Sequence, residues 1–428
     1  MPLPGHLAAA CRAALGEAEA KGQWADLCRL AHWPPHRPIW DAALGRCAPA
    51  PPAAPRIEVA ASLPAVRVFS NEASGTGLGQ NVAYTLQALE RIGAHYRLIP
   101  CANRREHLLA LEETQRGAWV NLFHVQPDNL PLVVAGLPEA VLAGSRNIGF
   151  FMWELLRLAD AHRLGLALVD EVWTATRFTQ AIFEGATAKP VHRVGHAVEP
   201  VPPSARDFRA ELGLQGKFVF LFAFDAHSCL GRKNPAGALA AFRQAFGADP
   251  QGARLVIKTS NLAKLRGQPQ REAFVDAVSR CPGVTLLDAR LSAPDLSALM
   301  SQADAYVSLH RAEGFGYTAA EAMYFGRPVI ATAYSGSEDF CTSETAALVA
   351  GPLKALRHDA FIYEVPGAEW AEPDIGQAAA AMRKLAGDPG YAQALAEAGR
   401  ALIRERFSVA QLAERYRERL EALAGGTR

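Results

Sequence analysis

Short runs of apolar residues alternate along this chain with longer stretches whose apolar positions recur at helical spacing. One series of apolar runs begins near residue 65, and a second follows Pro202 and Pro203. The predicted strands are Val66–Phe69, Tyr96–Ile99, Trp119–Phe123, Asn147–Met152 and Glu171–Ala175, then Phe218–Phe224, Arg254–Ile257, Val284–Leu287, Ala305–Leu309 and Val329–Thr332. Continuously apolar strands between helices indicate parallel sheets buried on both faces. The pattern therefore predicts an α/β protein with two doubly wound domains and a cleft between them.

The region before the first strand has a different composition. Residues 1–46 are rich in Ala, Leu and Arg and are predicted to be helical, and the Pro/Ala tract Cys47–Pro55 is predicted to be a linker. We therefore predict four segments. They are a helical extension with its linker (1–55), an N-terminal domain (56–203), a C-terminal domain (204–400) and a C-terminal helix (401–428).

Composition disfavours several classes of protein. Half of the 428 residues are apolar and a fifth are charged, as in ordinary globular proteins. The 44 basic and 43 acidic residues leave a net charge of +1, so no nucleic-acid partner is expected. No apolar run is long enough to span a membrane, and the N-terminus lacks the basic leader of a secretory signal. The seven cysteines are scattered without a CxxC pair, which favours reduced thiols and a cytoplasmic location.

The most informative stretch is ADAYVSLHRAEGFGYTAAEAMYFGRPVIATAY, residues 303–334. After the strand Ala305–Leu309 it predicts a helix at Tyr317–Phe325 that ends near Gly326. The loop between them contains Gly314, Phe315 and Gly316. Glycines let the backbone approach a ligand closely, and the N–H groups at the start of the helix favour an anion such as a diphosphate.

Two carboxylates flank this loop. Glu313 precedes the glycines and Glu321 lies inside the predicted helix, so both are expected to face one pocket at the carboxyl end of the sheet. Carboxylates beside a phosphate site are better suited to accept hydrogen bonds from sugar hydroxyls than to bind phosphate.

The spacing of Glu313 and Glu321 around GFG resembles the signature of family 4 retaining glycosyltransferases, also called group 1, which have the GT-B fold. The resemblance covers about residues 65–428. It implies two Rossmann-like domains facing a cleft, with the C-terminal helix packing back on the N-terminal domain. It also implies that Glu313 contacts the donor sugar, that Glu321 holds the nucleotide ribose, and that Gly314, Phe315 and Gly316 offer N–H groups to the sugar and diphosphate.

A basic pair follows the strand Phe218–Phe224. Arg232 and Lys233 stand before Asn234 and Pro235, which predict a helix start. Two cations there would stabilise a leaving diphosphate as its charge develops. Lys233 matches the phosphate lysine of the family. The family has an arginine several residues earlier, where this chain has His227, and Arg232 is expected to replace it; the alternative is a solvated basic turn.

The N-terminal domain carries weaker signals. Gly75, Gly77 and Gly79 lack the spacing of a dinucleotide fingerprint, which disfavours an oxidoreductase. The resemblance places this loop opposite the donor phosphates, with Gly77 toward the donor and Gly79 toward the acceptor; a plain tight turn is the alternative. His124, at a strand end, is implied to reach the donor sugar's hydroxyls, and otherwise serves the core.

Several further residues are candidates for substrate contact. Trp153 and Glu154 lie in a WEL-type segment that resembles the acceptor side of bacterial relatives, although Trp153 is equally suited to the core. Lys258 and Arg290 follow strand ends that face the nucleotide in this fold and are expected to contact the base or ribose. The turn Ser335–Glu338 either closes over the donor or is a simple turn.

The function that the resemblance implies is transfer of a hexose from a nucleotide sugar to a glycan or lipid-linked acceptor, with retention at the anomeric carbon, and by analogy a role in bacterial surface polysaccharide synthesis. The chain contains no DxD motif, so neither a metal nor another cofactor is expected. Peripheral membrane contact is expected if the acceptor is lipid-linked. The alternatives are a nucleotide-sugar epimerase, a phosphorylase or a non-catalytic carbohydrate-binding homologue, because fold alone does not fix function.

Overall fold

The computed structural model describes residues 63–70, 77–101, 119–137, 139–142, 145–357, 361 and 363–425. By its contacts the chain divides into two units. The first comprises the described residues up to Trp153, then Leu158–Ala197 and the residues from Val409; the second comprises Glu154–Arg157 and Val198–Ser408. The helical extension predicted at residues 1–46, the linker Cys47–Pro55 and Gly75 lie outside the described residues.

The first unit is built on a parallel sheet of six strands in the order β2-β1-β3-β4-β5-β6. The strands are Ala65–Ser70 (β1), Tyr96–Pro100 (β2), Trp119–His124 (β3), Ser145–Phe150 (β4), Glu171–Thr174 (β5) and Val191–Arg193 (β6). Its helices are Gly77–Arg91 (α1), Leu130–Gly136 (α2), Glu139–Leu142 (α3), Arg163–Ala167 (α4) and Arg177–Glu184 (α5). Every residue of β3 is buried, as expected for a central strand covered on both faces.

The second unit contains a second parallel sheet of six strands, in the order β12-β11-β10-β7-β8-β9. The strands are Phe218–Asp225 (β7), Ala253–Ser260 (β8), Val284–Asp288 (β9), Ala305–Ser308 (β10), Val329–Thr332 (β11) and Ala346–Val349 (β12). Leu353–Ala355 (β13) and Glu369–Ala371 (β14) form a separate antiparallel pair. The strand order is that of a Rossmann sheet, and the two predicted doubly wound sheets are confirmed.

The remaining helices belong to the second unit, except the last helix of the chain, which belongs to the first unit. Those of the second unit are Phe208–Glu211 (α6), Leu230–Lys233 (α7), Pro235–Phe246 (α8), Pro269–Ser279 (α9), Ala293–Gln302 (α10), Tyr317–Tyr324 (α11), Ile375–Gly387 (α12) and Pro389–Arg406 (α13). The last helix, Val409–Gly425 (α14), belongs to the first unit, where the hydroxyls of Tyr416 and Thr85 are 2.9 Å apart. Among the described helices, none is both long and apolar enough to cross a bilayer.

The cores explain why the chain adopts these sheets. In the first unit Phe69 and Phe123 stack across neighbouring strands, with ring centroids 4.6 Å apart. In the second, the apolar run of β7 buries Phe220 beside Phe242 of α8. The four cysteines among the described residues are free thiols.

Candidate active site

The second sheet reverses its strand order between β7 and β10. These strands are parallel neighbours, while the chain builds β8 and β9 on one side and β11 and β12 on the other. Crevices outside the carboxyl ends of such neighbouring strands are the usual ligand sites of open α/β sheets. The loop after β7 carries Arg232 and Lys233, and the loop after β10 carries Glu313, so the fold brings these predicted residues to one place.

Backbone and side-chain hydrogen bonds fasten the two loops together. Asn234 adopts a left-handed backbone with φ 56°, its Oδ1 accepts from the Gly237 N–H at the start of α8, and its Nδ2 donates to the Leu309 carbonyl at 2.9 Å. The prediction of Asn234 and Pro235 as the helix start is confirmed. The N–H of Arg311 also donates to the Arg232 carbonyl at 2.8 Å.

Arg311 supports the same loops through its side chain. Its guanidinium makes two hydrogen bonds to Glu372, at 2.9 and 2.7 Å, and donates to the Gly231 carbonyl. It also lies over the Trp370 ring, 5.3 Å from the centroid. The segment that contains β14 is thereby tied to α7, which carries Arg232 and Lys233.

Four charged side chains form the centre of the site. Lys233 Nζ donates to Glu313 Oε1, and Arg232 Nη1 donates to Glu313 Oε2 at 3.1 Å. Arg232 Nη1 also donates to the Ala312 carbonyl at 2.9 Å, while its Nη2 lies 3.4 Å from Glu154 Oε1. Glu154 was predicted on the acceptor side; the structure places it against Arg232.

The electrostatics of the cluster keep Glu313 ionised. Burial opposes ionisation, but Lys233 and Arg232 outweigh it and lower the pKa of Glu313 to about 2. Burial also disfavours the charged form of Arg232, yet Glu154 and Glu313 raise its pKa above the ordinary value. Burial lowers the pKa of Lys233, with Glu313 acting in the opposite direction and Arg232 in the same one. The cluster thus pairs two basic with two acidic side chains.

A third loop, the short 3₁₀ helix Ser335–Asp339 after β11, holds the backbone of Glu313. The Glu313 N–H donates to Ser335 Oγ and the Gly336 N–H donates to the Glu313 carbonyl, both at 2.9 Å. Ser335 has φ 71°, a left-handed conformation that a non-glycine residue rarely adopts. Glu313 is thus fixed at its backbone as well as at its carboxylate.

Substitution of Gly336 by Ala is expected to destabilise this arrangement. A Cβ at Gly336 would clash with the Gly314 carbonyl oxygen and lie 2.8 Å from the Phe315 nitrogen, so the two loops would have to separate. We expect the free energy of unfolding to fall by about 1–3 kcal/mol, measured by denaturant titration. Gly252→Ala is the matched control, because a methyl group added there would have no other atom within 4 Å; equal midpoints for both variants would contradict the expectation.

The glycine loop and helix α11 lie beside Glu313. Gly316 precedes α11 with φ 99°, a conformation that requires glycine. The Phe315 ring is buried against Phe340 and Phe407, with centroids 5.2 and 5.7 Å away. Any contact between Phe315 and a ligand would therefore use the backbone N–H and not the ring.

Glu321 differs from Glu313 in its surroundings. Among the described residues, none forms a hydrogen bond or ion pair with its carboxylate, and burial raises its pKa to about 7. Burial, chiefly, and then Glu313 and Glu321 raise the pKa of the Tyr306 phenol, which is buried.

Lys258 and Arg290 lie at the same end of the second sheet. β8 continues to Ser260, so Lys258 lies within the strand and does not follow it as predicted. Lys258 is buried, and its pKa is lowered by burial and by Arg290, against the effect of Asp225 and Asp288. The four charged groups lie close together at the ends of β7, β8 and β9.

In the first unit, His124 ends β3. Its Nδ1 accepts from Asn81 Nδ2 at 3.2 Å when the proton is on Nε2, and its ring stacks on Phe150 with centroids 4.8 Å apart. Burial lowers the pKa of His124 to about 3, so the imidazole is neutral. Within the described part of the chain, Nε2 has no hydrogen-bond partner although it is buried.

The remaining candidates of the first unit lie in helical or core positions. Gly77 and Gly79 are in the first turn of α1. Trp153 is buried and packs edge-on against His162, with centroids 4.2 Å apart. Contact of these residues with a substrate stays a prediction.

Sequence reasoning missed His310 as part of the site. His310 lies two residues after β10. Its Nδ1 lies 2.9 Å from Ser308 Oγ, and its Nε2 lies 3.3 Å from both the Tyr334 carbonyl and Ser337 Oγ. It thus connects the loop after β10 to the loop after β11. The sequence feature that could have indicated His310 is its position two residues beyond an apolar strand.

Part of the chain matches a known protein family. Residues 231–359, which contain Arg232, Lys233, Glu313 and Glu321, match the family model described as glycosyl transferases group 1. The comparison with curated proteins gives no match.

Solved structures resemble the chain over most of its length. HepE from Anabaena, solved with UDP and glucose, is 14% identical over 84% of this chain and 99% of its own, with a TM-score of 0.62. Sucrose-phosphate synthase from Thermosynechococcus elongatus is 17% identical over 85% of this chain and 100% of its own, with a TM-score of 0.63. WaaG, a glycosyltransferase involved in lipopolysaccharide biosynthesis, is 14% identical over 83% of this chain and 99% of its own, with a TM-score of 0.54. Residues 231–359 are therefore similar to the group 1 glycosyltransferases, and the chain has the GT-B fold.

Proposed function

We propose that this protein is a retaining hexosyltransferase of family 4 that moves a hexose from a nucleotide sugar to a hydroxyl of a glycan or lipid-linked acceptor. The observation that carries the proposal is the ionised Glu313 between Lys233 and Arg232, at the reversal point of the second sheet. We further propose a role in bacterial surface polysaccharide synthesis, at a cytoplasmic location with peripheral membrane contact if the acceptor is lipid-linked.

In this proposal each residue has a distinct task. Lys233 and Arg232 bind the diphosphate, with the N–H groups of Gly314–Gly316 beside them. Glu313 accepts hydrogen bonds from the donor sugar's hydroxyls, Glu321 binds the ribose hydroxyls, and Lys258 and Arg290 contact the base or ribose. His124 offers its neutral Nε2–H to the sugar, which accords with a buried nitrogen that has no partner among the described residues.

The reaction proposed is a front-face substitution. The bond between the anomeric carbon and the diphosphate oxygen breaks as the acceptor oxygen bonds to the same face of that carbon. The acceptor hydroxyl gives its proton to the leaving phosphate. Lys233 and Arg232 stabilise the charge that develops on the diphosphate, so we propose that no metal is needed and expect EDTA to leave the rate unchanged.

Donor binding is expected to strengthen as the pH rises through about 7. Burial raises the pKa of Glu321 to about 7, and an ionised carboxylate accepts hydrogen bonds from both ribose hydroxyls. Binding therefore favours the ionised form and releases a proton, so affinity should rise by up to roughly tenfold over about two pH units. Calorimetry in two buffers of different ionisation enthalpy measures the proton release; Glu321→Gln should abolish it, and a flat wild-type affinity would contradict it.

A panel of UDP-, GDP-, ADP- and dTDP-sugars tests the proposal directly. Each is added without acceptor or metal, and thermal stability and slow hydrolysis are measured. Binding to the native state raises the melting temperature, so stabilisation by one nucleotide, with release of sugar of retained anomeric configuration, is expected. UDP-sugars are the first to test, because HepE was solved with UDP.

The products distinguish the alternatives. A changed sugar that stays attached to the nucleotide would indicate an epimerase, and sugar phosphate formed from a glycan would indicate a phosphorylase. No stabilisation by any nucleotide, together with glycan binding on a carbohydrate array, would indicate a non-catalytic homologue and would overturn the proposed function.

A further inference from the structure

The two basic side chains proposed to bind the diphosphate already form ion pairs with carboxylates in this structure. Lys233 is paired with Glu313, and Arg232 is paired with both Glu313 and Glu154. The four side chains therefore sum to no net charge. A diphosphate entering beside them would gain little attraction unless one carboxylate moves away, because like charges in a poorly solvated site repel strongly.

The two carboxylates are held very differently. Glu313 has a side chain that is 11% exposed, pairs with two cations, and is fixed by backbone hydrogen bonds to Ser335 and Gly336. The Glu154 side chain is 28% exposed and meets Arg232 through one contact of 3.4 Å. Glu154 is therefore the carboxylate that can move into solvent at small cost.

The guanidinium of Arg232 is also divided between two tasks. Nη1 is occupied by the Ala312 carbonyl and by Glu313, which fix the position of the group. Nη2 faces Glu154. Of these two nitrogens, Nη2 is the one whose present partner is easily exchanged, and a phosphate oxygen is a stronger partner for it than a loosely held carboxylate.

We infer that Glu154 is an internal competitor of the donor diphosphate. When the nucleotide is absent, its carboxylate occupies Nη2 of Arg232; the diphosphate displaces it on binding, and it returns as the nucleoside diphosphate leaves. Glu154 thereby lowers the affinity for the nucleotide and speeds product release. The inference rests on the proposed function and gives Glu154 a role at the donor phosphate in place of acceptor contact.

The test compares the wild type with Glu154→Gln in the full chain. Dissociation constants for UDP, GDP, ADP and dTDP are measured by calorimetry, and dissociation rates by stopped flow. Loss of a competing ion pair of this exposure should tighten binding roughly three- to tenfold, mainly through slower dissociation. Glu211→Gln is the matched control: it removes the same charge from an exposed pair with Arg206 in the same unit, and it should leave the dissociation constant unchanged.

Two further variants link the effect to Arg232. Glu154→Asp keeps the charge but shortens the side chain, so it should bind nucleotide more tightly than the wild type. In an Arg232→Met background, Glu154→Gln should have no further effect, since the contact that it removes is already lost.

The outcomes separate the two proposals. Equal or weaker binding by Glu154→Gln, with wild-type binding intact, would show that Glu154 positions Arg232 or is inert, and would overturn the inference alone. Absence of binding of all four nucleotides to both proteins would overturn the proposed function, and the inference with it.

Discussion

Glu313→Gln is expected to reduce transfer by at least about a hundredfold, because the proposed contact of Glu313 with the donor sugar, if strongest in the transition state, is worth several kcal/mol. The amide keeps the shape of the side chain but carries no charge, so it cannot accept strongly from a sugar hydroxyl. It also leaves Lys233 without its anion and Arg232 with Glu154 alone. The hold on Lys233 is therefore weakened together with the proposed sugar contact.

The fold should survive this substitution. Breaking a fully buried ion pair costs about 3–5 kcal/mol, but here Lys233 is 18% exposed and reaches water, and Arg232 keeps the Ala312 carbonyl. Circular dichroism and a thermal unfolding curve check this alongside the transfer rate. Glu344→Gln, at an exposed position of the same unit, is the control. Unchanged turnover in Glu313→Gln with folded protein would refute the assignment of the site.

The pH dependence of transfer adds a second expectation for Glu313. Its pKa of about 2 keeps it ionised throughout the physiological range. If activity falls as the pH is lowered from alkaline values to about 7, the loss should therefore come from groups other than Glu313. Glu321 is the first candidate, because its pKa is about 7.

Much of the fold follows from the sequence because its central strands are buried on both faces. The apolar run Phe218–Phe224 predicted nearly all of β7, whose interior residues are buried. The edge strands Val191–Arg193 and Ala346–Val349 and the pair β13 and β14 were not predicted. Residues 353–355 are exposed and β6 is only partly buried, so no continuous apolar run marks β6 or β13.

The part of the candidate site whose residues are close together in the sequence was predictable. Glu313, the glycines and Glu321 lie within nine residues, and their residue types suggest sugar and phosphate contacts. The pairing of Glu313 with Arg232 was not predictable, because those residues are 81 positions apart and meet only through the neighbouring strands β7 and β10. Glu154 is also distant from Arg232 in the sequence, and its contact with Arg232 depends on the packing of residues 154–157 in the second unit.

Lys233→Ala is expected to have the largest effect on donor affinity. Hydrogen bonds to charged groups contribute about 1.5–3 kcal/mol each, so loss of the ammonium should weaken nucleoside diphosphate binding roughly ten- to a hundredfold. The fold should be little changed, since Lys233 is the last residue of α7 and its side chain is partly exposed. Calorimetry with the nucleotide selected by the panel measures the effect, and Lys264→Ala, an exposed lysine of the same unit, is the control.

The same substitution should also change the behaviour of Glu313. Lys233 is the largest of the charge effects that lower the pKa of Glu313, ahead of Arg232. Without it, burial should raise that pKa, so the residual activity of Lys233→Ala should fall on acidification at a higher pH than in the wild type. Weak binding without this shift would mean that Lys233 binds phosphate but does not control Glu313. Unchanged affinity, with Glu313→Gln inactive, would instead assign the diphosphate to Arg232 and the loop Gly314–Gly316 alone.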